Sequence, residues 1–193
     1  DIQKILTAVP GVYMRTEEGY GLRPNISIRG TAIERSGKVT IMEDGVLIAP
    51  APYSAPAAYY FPSVARMQAV EILKGSSQIQ YGPFTTGGAI NLVSTQIPDR
   101  FKGSIQTSYG SFNTGQTHLK IGDSKTNIGY SVEYLNNNSD GFKNLPNGDN
   151  TGFDKNDVVA KFRVQNKEDA KFNQSLEFKF QYSDETSNET YLG

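Results

Sequence analysis

The sequence predicts a small mixed α/β domain followed by antiparallel strands of a transmembrane β-barrel. In residues 1–98, short apolar runs alternate with glycine and proline turns, and most of the nine prolines lie there. In residues 99–193, apolar and polar residues alternate strictly instead. That alternation places every apolar side chain on one face of a sheet. The alternating runs reach about ten residues, the length that a tilted strand needs to cross a bilayer.

The first domain is predicted to contain one helix and several short strands. Apolar residues at helical spacing predict the helix, namely Ile2, Ile5, Leu6 and Val9. The predicted strands are Ile26–Ile28, Val39–Met42, Val46–Ile48, Ala69–Leu73 and Ala89–Val93. Asp44-Gly45 predicts a tight hairpin, because this pair adopts the positive φ that such turns require. A short helical turn is expected at Ser63–Gln68, after Pro62.

The second domain is predicted to consist of five strands. Their alternating runs are Ser104–Tyr109, Thr117–Ile121, Ile128–Tyr134, Val158–Val164 and Leu176–Tyr182. In a soluble sandwich the apolar face would pack on a second sheet, whereas in a barrel it would face lipid. Aromatic residues near strand ends and a long polar connection, Asn136–Asn150, favour the barrel. A soluble β-domain is the alternative.

Five strands are too few to close a barrel. Bacterial single-chain barrels have even strand numbers from 8 upward. An open sheet edge in lipid would leave backbone groups without hydrogen bonds. We therefore expect the chain to be a fragment, with most of the barrel outside it.

Composition excludes several classes of function. The 19 basic and 20 acidic residues leave a net charge of −1, which gives no basic face for nucleic acid. The absence of cysteine excludes disulfides and thiolate metal sites. The single histidine, His118, is expected at the surface without a catalytic role. No pattern places two carboxylates together or forms a metal-binding loop, so we expect neither an enzyme nor a bound cofactor.

The glycine-rich stretch Glu71–Val93 reads EILKGSSQIQYGPFTTGGAINLV. A phosphate site would require Lys-Ser/Thr directly after the last glycine, or G-x-G-x-x-G opening a helix. Neither spacing is present, and a strand-like run follows Gly88. The glycines therefore indicate a backbone that turns sharply and packs where side chains would collide.

Several segments resemble the plug (cork) domain of TonB-dependent outer-membrane receptors. They are Leu6–Val12, Ile28-Arg29-Gly30, Asp44-Gly45-Val46, Val70–Gly75, Tyr81-Gly82 and Gly87–Val93, in the family's order. The run Ala49–Pro62 is similar to the ferric dicitrate receptor branch of the siderophore type. The resemblance implies a plugged barrel of about 22 strands.

The resemblance also implies a function in the cell outer membrane. The expected activity is import of an iron(III) chelate, such as ferric citrate, with energy from the TonB protein. Expected partners are therefore TonB, the chelate and outer-membrane lipid. The alternatives are an importer of another large solute, such as vitamin B12, or a non-transporting β-rich adhesion protein that binds a partner through Asn136–Asn150.

Site residues follow from the same resemblance. Three outward-facing loops are expected, at Arg15–Asn25, Ala49–Pro56 and Pro83–Thr86. Candidate ligand contacts are Arg23, Arg35, Tyr53, Ser54, Thr85 and Thr86, which supply the cations and hydrogen-bond donors that an anionic chelate needs. Arg29, Glu71 and Lys74 match positions of a buried ion-pair lock between plug and barrel wall. The chelator's own oxygens should hold the iron, with no ligand from the protein.

Overall fold

The computed structural model describes residues 2–16, 20–48, 60–82, 85–144, 150–166 and 171–188. The chain forms two compact units, Asp1–Thr95 and Gln96–Gly193. The assignment of residues 1–98 and 99–193 as functional domains stays a prediction. Among the described residues, no helix has the length and apolar character needed to cross a membrane.

The first unit opens with the predicted helix, α1 (Ile2–Thr7), which buries Ile2 and Leu6. Strands β1 (Val12–Thr16) and β2 (Pro24–Ile28) follow and pair antiparallel. Arg15 lies opposite Asn25 in this pairing. The prediction of one continuous loop over Arg15–Asn25 is therefore wrong at both ends. The strand β1 forms because its pairing places Val12 opposite the buried Ile28.

A four-stranded sheet completes this unit. It consists of β3 (Val39–Glu43), β4 (Val46–Leu47), β5 (Met67–Leu73) and β6 (Gly88–Ser94), in the order β4-β3-β6-β5. The strands β3 and β6 are parallel, and the other two pairs are antiparallel. All four coincide with predicted runs. The predicted hairpin is present, with φ of 51° at Asp44 and 80° at Gly45.

Among the described residues of this unit, short 3-10 helices lie at Glu34–Ser36, before β3, and at Val64–Arg66 and Ser76–Tyr81. The turn expected at Ser63–Gln68 is thus shorter than predicted, because β5 already begins at Met67. The core contains ten buried apolar residues: Ile2, Leu6, Val12, Ile26, Ile28, Val39, Ile41, Phe61, Ile90 and Leu92. It joins α1, the β1–β2 pair and the central strands of the sheet.

The second unit is an antiparallel meander of the five predicted strands. They are β7 (Lys102–Gly110), β8 (Thr114–Lys125), β9 (Ile128–Ser139), β10 (Phe153–Gln165) and β11 (Ser175–Ser187). Each strand pairs with its neighbour in sequence. The prediction of a loop over Asn136–Asn150 is wrong at its start. Asn136 lies opposite both Thr117 and Asn156, so β9 continues through the asparagines to Ser139.

The two faces of this sheet have opposite polarity. One face, here called the apolar face, carries exposed residues on every strand: Ile105, Leu119, Ile121, Ile128, Tyr130, Val132, Phe162, Val164, Leu176, Phe178, Phe180 and Tyr182. The other, the polar face, carries buried charged residues: Glu133, Lys155, Asp157 and Lys161. Phe180 is 64% exposed while Lys155 is 2% exposed. A soluble sheet would show the reverse, so the pattern is that of a barrel wall with lipid outside.

Candidate functional site

The glycine-rich stretch is a tightly packed backbone connection. Gly88 begins β6 with φ of 153°, and a Cβ atom there would lie 2.7 Å from Ile28 Cδ1 and 2.8 Å from the Leu73 carbonyl oxygen. A Cβ on Gly87 would lie 2.8 Å from the Lys38 carbonyl oxygen, which accepts a hydrogen bond from Gly87 N. These glycines therefore permit close backbone approach, as predicted, and a strand follows them rather than a phosphate-binding helix.

Two candidate ligand contacts, Arg23 and Arg35, belong to one region of the first unit. The Asn25 side chain accepts a hydrogen bond from the Arg35 backbone N–H. The Ser36 hydroxyl donates to the Pro24 carbonyl and accepts from the Ile26 N–H, at 3.1 and 2.9 Å. The segment that carries Arg35 is thus fastened to the start of β2, two residues from Arg23. Arg35 is exposed and Arg23 is half-buried.

The other candidate contacts differ in accessibility. Thr85 is buried, and its hydroxyl donates to the Gly82 carbonyl at 2.7 Å. Thr86 is exposed, and its carbonyl accepts from Gln78 Nε2 at 3.3 Å. Thr86 is therefore better placed than Thr85 to meet a ligand. Tyr53 and Ser54 lie outside the described residues.

The three predicted lock residues are at the surface of the first unit. Arg29 is exposed, with its backbone N–H donating to the Gly11 carbonyl at 2.8 Å. Lys74 Nζ donates to the Pro10 carbonyl at 2.8 Å. Both residues thus bond to the turn at Pro10–Gly11, Arg29 through its backbone and Lys74 through its ammonium group. Glu71 lies elsewhere on the sheet, where it accepts from Asn91 Nδ2 at 2.8 Å.

A buried ion pair that the sequence reasoning missed lies inside the first unit. Arg66 donates to both carboxylate oxygens of Glu43, at 2.5 and 2.8 Å, and to the Tyr60 hydroxyl oxygen at 2.9 Å. Arg66 is fully buried, and Glu43 is 6% exposed. Two features of the sequence could have suggested this pair. Glu43 is a charged residue at the end of a buried strand, and Arg66 follows the apolar Phe61 closely in the sequence.

The turn next to this ion pair is also held by side chains. Asp44 accepts from the Ser94 N–H at 2.8 Å and from its hydroxyl. Gly45 N donates to Asn91 Oδ1 at 2.8 Å, and Asn91 in turn donates to Glu71. The hairpin between β3 and β4 is therefore bound to β6 by two independent contacts. Both contacts fix the start of the segment that leads to Ala49–Pro56.

Charged residues pair on the polar face of the second unit. His118 is 5% exposed, and its Nε2 lies 2.5 Å from Glu133 Oε1, so the prediction of a surface histidine is wrong. Lys120 Nζ also lies 3.3 Å from this carboxylate. A second pair joins Lys155 and Glu185 at 2.9 Å. The alternation placed His118 on the polar face, but only the pairing of β8 with β9 sets it beside Glu133. In the described part of the chain, no three histidine or acidic side chains converge as a metal site.

Comparison with known proteins agrees with this architecture. Residues 1–89 match the family model of the TonB-dependent receptor plug domain. The fold resembles the ferric citrate transporter FecA in its unliganded form, with a TM-score of 0.76 and 21% identity over 97% of the chain. It also resembles the ferric yersiniabactin uptake receptor FyuA from Yersinia pestis, with a TM-score of 0.72 and 22% identity over 94% of the chain.

A third similar structure is the siderophore receptor PirA from Acinetobacter baumannii, with a TM-score of 0.70 and 19% identity over 95% of the chain. The chain spans 28–29% of the length of these three proteins. These three matches are to proteins described as receptors or transporters. The adhesion alternative assumes a protein without a plug, so the match of residues 1–89 to the plug model counts against it. Residues 1–89 match the model of the TonB-dependent receptor plug domain, and the whole chain has the fold of a plug domain followed by antiparallel strands of the kind that form the barrel in these receptors.

Proposed function

We propose that the chain is part of an outer-membrane transporter that binds an iron(III) chelate and imports it with energy from TonB. The single observation that carries this proposal is the joining of a plug domain to a sheet with an exposed apolar face and a buried charged face. A plug domain functions inside a pore. The sheet has its apolar side chains exposed and its charged side chains buried, which is the polarity of a barrel wall between lipid and a water-filled lumen. The similar folds of the ferric citrate transporter FecA and the siderophore receptor PirA support an iron chelate as the cargo.

Chelate binding is proposed to involve Arg23 and Arg35, with Thr86 as a neutral contact. Ferric complexes of carboxylate chelators carry negative charge, and guanidinium groups donate two parallel hydrogen bonds to a carboxylate. The hydrogen bond that the Arg35 N–H donates to the Asn25 side chain supports this role because it keeps the Arg35 segment beside the start of β2. Thr85 is proposed to shape the loop, since its hydroxyl is bonded to Gly82. Tyr53 and Ser54 remain candidates from the family resemblance.

Release of the plug is proposed to involve Arg29, Glu71 and Lys74. In the full receptor, their side chains would pair with the barrel wall, as matching residues of the family do. Arg29 and Lys74 are both bonded to the turn at Pro10–Gly11, and this turn directly follows α1. A force that passed along α1 to this turn would therefore reach the residues that carry these two cations.

Iron uptake by the full-length receptor tests the proposal. The gene that contains this chain would be expressed in a host without its own ferric citrate receptor, and uptake of radioactive iron as ferric dicitrate would be followed with and without TonB. TonB-dependent uptake is the expected result. If the receptor transports vitamin B12 and no iron chelate, the proposed cargo is wrong. If the protein is absent from the outer-membrane fraction, the whole proposal is overturned.

A further inference from the structure

One end of the apolar face carries a band of polar side chains. This polar band consists of Thr107, Thr117, Asn136, Asn138, Asp154, Asn156, Asp184 and Thr186, and the pairing of the strands arranges them in two adjacent rows. In one row, Asn138 lies opposite Asp154. In the next, Asn156 lies between Asn136 and Asp184. The row through Asn136 therefore crosses the sheet from β7 to β11, whereas the polar residues of the row through Asn138 lie on β9, β10 and β11.

The next row of the same face is almost entirely apolar. It consists of Ile105, Leu119, Tyr134, Val158 and Tyr182, again paired across all five strands. Polar and apolar bands thus meet along one line, with two tyrosines at the boundary. Aromatic residues occupy such a boundary at the surface of a bilayer. The polar band is continuous with the lipid-facing wall.

The connections identify which side of the membrane the polar band faces. The longest connection between these strands, from 140 to 152, joins the ends of β9 and β10 at this end of the sheet, whereas the connections 126–127 and 166–174 join strands at the other end. Barrels have their longer loops on the extracellular side. Two rows of residues rise about 10 Å in a tilted strand, which is comparable to the polar layer of one bilayer leaflet. The band therefore stands beside the headgroups of the outer leaflet.

A chain of side-chain hydrogen bonds preorganises the band. The Tyr134 hydroxyl and Asn136 Nδ2 both donate to Asn156 Oδ1, at 2.8 and 3.0 Å. Asn138 Nδ2 donates to Asn136 Oδ1 at 2.8 Å, and Asn156 Nδ2 donates to Asp154 Oδ1 at 2.6 Å. In this chain of bonds, each of the three amides uses one of its two N–H hydrogens. The others remain available to a partner along the same surface.

The charge of the band selects among headgroups. It contains two carboxylates, Asp154 and Asp184, and no lysine or arginine. Phosphate headgroups are bound by cations, so they do not complement this surface. Hydroxyl groups both donate and accept, and they complement amides, threonines and carboxylates together. The complementary partner is an uncharged headgroup rich in hydroxyls.

We propose that the polar band binds the saccharide headgroups of glycolipids in the outer leaflet and thereby fixes the depth of the barrel in the membrane. The inference rests on the proposed outer-membrane location of the receptor. It concerns the outer wall, and so is separate from chelate binding by the plug.

The test measures which lipids the full-length receptor retains. The receptor would be reconstituted in phosphatidylcholine that contains a minority of a diacylglycerol with an uncharged disaccharide headgroup, and the lipids of the purified particle would be quantified by mass spectrometry. We expect enrichment of the glycolipid by about threefold over the bulk, the ratio that one net hydrogen bond supplies. The variant Asn136→Ala/Asn156→Ala should show no enrichment. The variant Asn137→Ala, on the same strand but the opposite face, should match the wild type.

Two outcomes would overturn the inference. No enrichment by the wild type would mean that the band meets only water, and this result does not depend on the folding of any variant. Preferential retention of phosphatidylglycerol with Mg²⁺ would mean that the carboxylates bind phosphate through a cation. Uptake of ferric dicitrate by the same wild-type receptor separates the two proposals. Import of ferric dicitrate without glycolipid enrichment contradicts only the proposal that the polar band binds glycolipid. Glycolipid enrichment without import contradicts only the proposed cargo.

Discussion

Arg66 binds Glu43 through both carboxylate oxygens in the interior of the first unit, at 2.5 and 2.8 Å. The same guanidinium donates to Tyr60, which immediately follows residues 49–59 in the chain. Glu43 precedes that segment and Tyr60 follows it. One arginine therefore bonds to residues on both sides of the segment that carries Tyr53 and Ser54.

The variant Arg66→Met should destabilise the plug strongly. It leaves the Glu43 carboxylate buried without its cation, and loss of one partner of a buried pair costs about 3–5 kcal/mol. Hydrogen exchange of β3 and β6 in the full receptor would report the change in the free energy of opening. The double variant Arg66→Met/Glu43→Leu should recover most of the loss, because no unpaired charge remains. If the free energy of opening of Arg66→Met stays within about 1 kcal/mol of the wild-type value, this role of Arg66 is contradicted.

Replacement of Gly88 by alanine should weaken the connection between β5 and β6. The added Cβ would collide with the Leu73 carbonyl oxygen at 2.8 Å, and φ of 153° disfavours any side chain. We expect a loss of about 2 kcal/mol or more in plug stability, measured by the same exchange experiment. Gly103→Ala is the matched control, since its nearest neighbour, the Lys120 carbonyl oxygen, lies 3.9 Å away. Equal stability of the two variants would show that Gly88 is not needed.

Arg23 and Arg35 should each contribute to affinity for an anionic chelate. A hydrogen bond to a charged group is worth about 1.5–3 kcal/mol, so Arg23→Gln or Arg35→Gln should raise the dissociation constant for ferric dicitrate roughly 10-fold or more. Equilibrium binding to the purified receptor measures this. Lys38→Gln, an exposed cation in the same segment as Arg35, is the control and should have little effect. If all three variants lose affinity equally, the effect is one of general charge and not of these two guanidinium groups.

Arg29→Ala should reduce transport more than binding. The Arg29 backbone is bonded to Gly11 and would keep its conformation, whereas any ion pair between its side chain and the barrel wall would be lost. Uptake of ferric dicitrate into cells and equilibrium binding to the same receptor would be compared. The expected result is impaired uptake with binding near that of the wild type. Equal loss of both, or of neither, would refute the lock.

Local patterns predicted the elements of both units well. The hairpin at Asp44-Gly45 was predictable because the turn requires positive φ, and the five long strands were predictable from alternation alone. The helix α1 was predictable from the spacing of Ile2 and Leu6. Each of these features depends on residues that are neighbours in sequence.

The errors arose where partners distant in sequence decide the structure. Asn136–Ser139 have low strand propensity, but pairing with β8 and β10 extends β9 through them. The contact between His118 and Glu133 depends on the register of two strands, which alternation does not fix. The pair of Arg66 with Glu43 joins residues on different elements of the first unit. Propensity and periodicity carry no information on such contacts.

The exposure of β11 to lipid is the most direct test of the central claim that this sheet is the wall of a lipid-embedded, plugged pore. This chain contains no cysteine, so in a full receptor without other cysteines single cysteines can carry nitroxide labels at successive positions of this strand. Collision with oxygen, which concentrates in lipid, should be high at Leu176, Phe178 and Phe180 and low at Glu177, Lys179 and Gln181. Uniform accessibility to a water-soluble nickel chelate along the strand, or oxygen collisions highest at the charged positions, would contradict the account.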